Sequence, residues 1–165
     1  MATGRTVSRF FNFVIDDSSA TIRDIAVYTI SIVGIVFEEQ DLTALADAVK
    51  GALPNMPDAP IEITGPFSNL AVASASGSGV AAVYSGSHTV LSPINGLMTP
   101  LTLDCQFGIQ SIWSTGDPQF GITASSVNGY ILTSYTVDAA SMEYAARFVL
   151  FPGSIIPAFA TSAES

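Results

Sequence analysis

No Asp, Glu, Lys or Arg stands between Glu62 and Asp104. A stretch that long without charge cannot build the mixed, charged exterior that keeps most soluble domains apart. It has to be buried in a core or covered by something else. The rest of the chain does little to compensate. Charged residues make up 12% of the sequence and hydrophobic residues 48%, whereas about 25% charged is usual. Much of the surface is therefore expected to lie under further copies of the chain. The alternative is a neutral coat of Ser, Thr and Gly.

The charges that do occur are unbalanced. Asp and Glu number 14 against 5 Lys and Arg, a formal net charge of −9. Nucleic-acid affinity rests on cations that displace counterions from phosphate, so this balance argues against a protein that grips DNA or RNA. The N-terminus, MATGRTVSRFF, lacks the basic, apolar and small-residue order of a signal peptide. The most apolar run, IAVYTISIVGIVF (25–37), is too short and too β-branched for a spanning helix, so no membrane binding by the chain itself is expected. Cys105 is the single cysteine and permits no intrachain disulfide. The expected compartment is reducing, or redox is irrelevant.

Hydrophobic periodicity predicts a mainly β chain. SRFFNFVI (8–15) reads as a strand, DDSSA (16–20) as a turn, and residues 21–37 as a second strand broken near Gly34. IEITGPF (61–67), LTLDCQF (101–107), YILTSYTV (130–137) and MEYAARFVLF (142–151) read as further strands, the last two joined by DAAS. NMPDAP (55–60) reads as a rigid loop, and residues 68–88 as a flexible excursion or a pair of small-residue strands. One helix is expected, about residues 42–53. Asp41 would cap it, Leu42, Leu45 and Val49 would form its buried face, and Pro54 would stop it. The expected architecture is an antiparallel β-sandwich or barrel with that helix on its flank. It would be one domain over 1–165, with an N-terminal segment 1–7 and a C-terminal arm about 153–165.

The chain offers little to a catalytic reading. One His and one Cys stand 17 positions apart, and neither Asp16-Asp17 nor Glu38-Glu39-Asp41 has the alternation of a calcium loop. Those acids are explained as a turn and as a helix start. His88 lies in a neutral Ser/Gly context leading into a strand, no G-x-S-x-G elbow occurs, and GSGVAA (77–82) is not followed by an amphipathic helix. No catalytic, cofactor-binding or metal-binding residue is assigned, and no enzyme or cofactor is expected. A small β-barrel enzyme or ligand-binding protein is the reading from another class, and the lack of convergent titratable residues counts against it.

The order of these segments resembles a known family. A long N-terminal hairpin is followed by EEQDLTALADAVKGALPN, a loop, the alternating strand IEITGPF and a closing strand pair ending in EYAARFVLFPG. This is similar to the tail tube (major tail) proteins of tailed bacteriophages, most sharply over residues 37–65. The resemblance implies a β-sandwich with one flanking helix. Six copies would join their sheets into a ring, and rings would stack into a tube that DNA crosses without sticking. It implies homo-oligomeric assembly, contacts with other tail proteins, and a place in the virion after synthesis in the host cytoplasm. Glu62 and Asp104, each on the polar side of an alternating strand, are the candidate lumen-facing acids, with the outside of the tube as the alternative for both. Arg147, the one base in mid-strand, is expected to be paired with an acid or turned from the lumen. A capsid decoration or cement protein is the runner-up, being also β-rich and assembling.

Overall fold

The structure, a computed structural model, describes residues 10–31, 33–41, 52–73, 84–109 and 113–161. In chain order the elements are β1 (Phe11–Asp16), β2 (Ile22–Ile25), β3 (Thr29–Ile30), β4 (Val36–Asp41), β5 (Ala52–Asp58), β6 (Ile61–Pro66), α1 (Ser87–Ile94), β7 (Leu103–Phe107), β8 (Gln119–Ile122), β9 (Tyr130–Asp138), β10 (Glu143–Leu150) and β11 (Ala158–Ala160). The expected fold class holds: the described residues are mainly β, with antiparallel sheets and one helix among them, in keeping with a β-sandwich and a flanking helix.

Two sheets face each other. The five-stranded sheet runs β11-β8-β7-β1-β2 and the four-stranded sheet β3-β6-β10-β9. Alternation decides what each strand buries. Phe13, Ile15, Ile25, Leu103, Cys105 and Phe120 of the first sheet meet Ile61, Ile63, Tyr144, Ala146 and Phe148 of the second, and all are buried. Phe13 and Phe148 touch across the seam, their ring centroids 5.7 Å apart and tilted. The two large phenols keep their hydroxyls satisfied. Tyr130 donates to the Ala59 carbonyl at 2.9 Å and Tyr144 to that of Ala26 at 2.8 Å. Burial pushes both phenols far above their ordinary range.

The turn after β1 forms where DDSSA predicts it. Asp17 is its hub. Its carboxylate accepts the N–H groups of Ser19 and Thr21 and the Nε–H of Arg23 at 2.8 Å. Burial alone would raise this carboxyl, but the Arg23 guanidinium and the two N–H groups outweigh it and hold it below the usual carboxylate range.

The helix differs from expectation. Among the described residues it is α1, in a segment expected to lead into a strand. It carries no side-chain cap and has Pro93 inside it, so propensity and caps gave no sign of it. Tertiary contacts build it instead. Val90, Leu91 and Ile94 enter the core. The segment at 68–70 lies along its first turn: Ser68 accepts the His88 N–H at its carbonyl, Ser87 Oγ donates to Pro66, and Thr89 Oγ1 donates to Leu70. That segment crosses so close that a Cβ on Gly86 would strike the Leu70 backbone.

Four further expectations are corrected. Leu42, Leu45 and Val49 lie outside the described residues. The expected cap Asp41 and the last two residues of the helix expected at 42–53 are strand instead, since Asp41 pairs with Ala52 and Gln40 with Leu53. Most of NMPDAP is not a loop, because β5 runs through Asp58 and only Ala59 and Pro60 link it to β6. The prolines within β5, Pro54 and Pro57, are tolerated because the β4–β5 ribbon has two strands among the described residues, leaving each an open edge. The second strand is broken more often than expected, into β2, β3 and β4, with Gly34 at φ +151 before β4. Finally, the C-terminal arm is partly sheet. Ala158–Ala160 pairs with β8, and Phe159 packs on Phe120, the ring centroids 4.7 Å apart and tilted. The N-terminal segment 1–7 lies outside the described residues.

Candidate functional site: the outer face of the four-stranded sheet

The side of β6, β10 and β9 that turns from the core is open to solvent. Register fixes its rows. Glu62, Arg147 and Ser134 stand side by side, then Thr64, Ala145 and Thr136, then Pro66, Glu143 and Asp138. On β10 burial alternates residue by residue, with Glu143, Ala145 and Arg147 exposed and Tyr144, Ala146 and Phe148 buried. Apart from Arg147, the side chains on this face are small or acidic. Three acids, Glu62, Asp138 and Glu143, oppose the single base Arg147, a net of −2.

Arg147 has an acidic partner. Its Nη1 lies 2.6 Å from Glu62 Oε1, and the two side chains are 50% and 57% exposed. The pair sits in a shallow depression of about 250 Å³ whose floor is Thr64, Ser134 and Ala145. Asp138 accepts the Ala140 N–H at 2.8 Å. This bond, with another from Ser141, holds its carboxyl below the ordinary range. It therefore stays charged at the hairpin end, beside Glu143.

The edges of the sheet matter as much as its face. β9 pairs with β10 on one side. On its other side Leu101 bridges Tyr130, and Gly96 donates to the Leu132 carbonyl. Beyond that, no strand pairs with the outer edge of Thr133–Asp138 among the described residues. A β-bulge falls where this exposed half begins: Arg147 pairs with Ser134 and Phe148 with Leu132, leaving Thr133 as the extra residue.

The two candidate acids do not share this face. Glu62 does lie on it. Asp104 lies on the other sheet and is only 2% exposed. The alternation that suggested a wet side for Asp104 is real, but that side is covered. Asn12, Asp24, Gln106 and Gln119 are buried there as well. Asn12 Nδ2 ties two of them together, donating to Asp24 at 3.1 Å and Gln106 at 3.0 Å. Asp104 also sits over Gly121, where a Cβ would overlap its carboxylate. Asp104 is therefore no surface acid in this subunit. Asp41 is exposed, at the end of β4.

Residues that could suggest chemistry are occupied structurally. His88 Nδ1 is 3.0 Å from the Tyr135 hydroxyl, and its ring packs against Phe67 at 5.0 Å. Cys105 is buried, and burial first, then Asp104, pushes its thiol far up, away from thiolate chemistry. Among the described residues no group of three or more His, Cys, Asp and Glu gathers as a metal site. No helix among them is long and apolar enough to cross a membrane.

Thr64, Ser134, Thr136, Asp138, Glu143 and Ala145 were not singled out from sequence. The signal was present for β10, because 142–151 alternates and Arg147 marks its outward phase, but 130–137 does not alternate and gave none for β9. Compared with protein-family models and with curated proteins, the sequence returns no match.

Proposed function

We propose that this chain is a structural subunit that polymerises into a phage tail tube, with the outer face of the four-stranded sheet lining the bore. The observation that carries this reading is the sheet itself. One of its faces is core, the other is small, polar and net acidic, and the outer edge of Thr133–Asp138, in the nine-residue edge strand β9, pairs with no strand among the described residues. An open edge of that kind invites a strand from a neighbour. A heterologous contact repeated around an axis closes a ring. An acidic wall with its one base neutralised gives phosphate no cation to condense on.

The β4–β5 ribbon supports the assembly half of the proposal. Among the described residues it forms its own two-stranded sheet, every residue of β4 is exposed, and Val36 and Phe37 are among them at 60% and 46%. A two-stranded ribbon by itself is marginal in water, and its apolar residues gain a place if the ribbon seats on the next copy. Phe37→Lys is expected to change subunit stability by no more than about 0.5 kcal/mol, while reducing polymerisation at least tenfold in sedimentation. Loss of subunit stability with normal polymers would show that the ribbon belongs to the fold and not to the contact.

Negative-stain images of the purified protein test the proposal as a whole. Rings and stacked tubes are expected. Particles that bind only to capsids would replace it with the decoration-protein reading, and monodisperse single subunits at high concentration would remove both.

A further inference from the structure

The base on the acidic face is neutralised by its partner but not removed. Arg147 stands on the central strand of the face, in the end row with Glu62 and Ser134, and Thr64 and Ala145 line the same depression. Its guanidinium is half exposed, so a phosphate could reach it. Planar guanidinium is the side chain best shaped to take phosphate in a bidentate grip. One carboxylate stands in the way, since Glu62 already holds Nη1 at 2.6 Å. The other described base, Arg23, is tied to Asp17 and to the Ala73 carbonyl.

We infer that Glu62 acts as a mask: it occupies Arg147 and so keeps a latent phosphate-binding site on this face switched off. An exposed cross-strand ion pair contributes little to holding a fold together, so stability gives weak reason for the pairing. Its effect on charge is larger. With Glu62 in place the row presents no free cation to a polyanion. Without it, each subunit offers one guanidinium on a floor of small hydroxyl and methyl groups. The inference deepens the tube reading and rests on it for its setting, where an unmasked arginine in every subunit would hold passing DNA.

The test compares the wild type with Glu62→Gln, Arg147→Gln, the Glu62→Gln/Arg147→Gln double variant and Glu143→Gln. Each is titrated with a fluorescein-labelled DNA duplex at about 20 mM and about 200 mM salt, with sedimentation velocity recording its assembly state. Removing a unit charge about 4 Å from the arginine in water should tighten binding about fivefold for one unmasked arginine. Where two subunits of a ring touch the same duplex, the gain should be about twenty-five-fold by the same reasoning. The gain should shrink at the higher salt and vanish in the double variant. Glu143→Gln alters net charge as much as Glu62→Gln does, yet should show no comparable gain. The inference is overturned if Glu62→Gln binds no tighter than the wild type, if the double variant keeps the gain, or if Glu143→Gln matches it. If every variant sediments as single subunits, the tube reading fails, and the fivefold gain is still required for the mask to stand.

Discussion

Asp104→Lys is expected to leave no folded subunit at 25 °C, whereas Glu62→Lys is expected to fold. Both replace an acid on an alternating strand with a cation, so sequence alone treats them alike. Burial separates them. Glu62 has a side chain 57% exposed, and a lysine there can extend into water. Asp104 is 2% exposed, at the centre of a row in which Val14 separates it from Asp24 on one side and Gly121 flanks it on the other. A longer ammonium side chain there would have to displace packed neighbours and lose its water. An uncompensated buried charge costs about 3–5 kcal/mol, and overpacking adds about 1–3 kcal/mol. That sum is comparable with the whole stability of an ordinary domain, about 5–15 kcal/mol. Urea unfolding followed by circular dichroism reads the difference. An Asp104→Lys protein that unfolds cooperatively within about 1 kcal/mol of the parent would mean that the side chain reaches solvent and that Asp104 returns as a surface acid.

Phe148→Ala should be the most damaging of the simple truncations, at about 3–5 kcal/mol. Phe148 is fully buried, comes from the four-stranded sheet, and meets Phe13 of the five-stranded sheet ring to ring. The residues beside it cannot collapse into the gap without pulling one sheet toward the other, so the cavity term should lie at the upper end. Phe159→Ala is the control, because that ring is 61% exposed and covers Phe120 from outside. Equal losses for the two variants in thermal or urea unfolding would mean that the sandwich seam is not the main source of stability.

How far the sequence could be read depended on what each residue's neighbours were. Five strands were legible from local signals: β6, β7 and β10 alternate, and β1 and β9 are runs rich in aromatic and branched residues. α1 was not, since its first turn is closed by the segment at 68–70, remote in sequence, and its eight residues contain proline. The C-terminal end of the expected helix failed for a related reason. Leu53 continues a helical spacing, yet Ala52–Asp58 pairs with β4, and a partner strand is invisible to a periodicity count. Asp104 shows the same limit at the level of a site. Period two correctly assigned it to the polar side of β7, but not whether that side is wet. Glu62 and Arg147 fell on the exposed face because their sheet happens to have one side uncovered. The face emerged only once register put Ser134 beside Arg147 and Ala145 beside Thr64.

The bulge at Thr133 has a geometric consequence for a closed assembly. Leu132 points inward and Ser134 outward on either side of it, so Thr133 is the one position of β9 whose loss would leave every other residue on its present side. What it adds is rotation, because a bulge strengthens the local twist of its strand. It lies where the covered part of β9 gives way to the open edge. The direction in which that edge leaves the subunit is therefore set by a single extra residue. In a closed circle of identical parts, that direction is the angle between neighbours, and the angle fixes how many copies complete the turn.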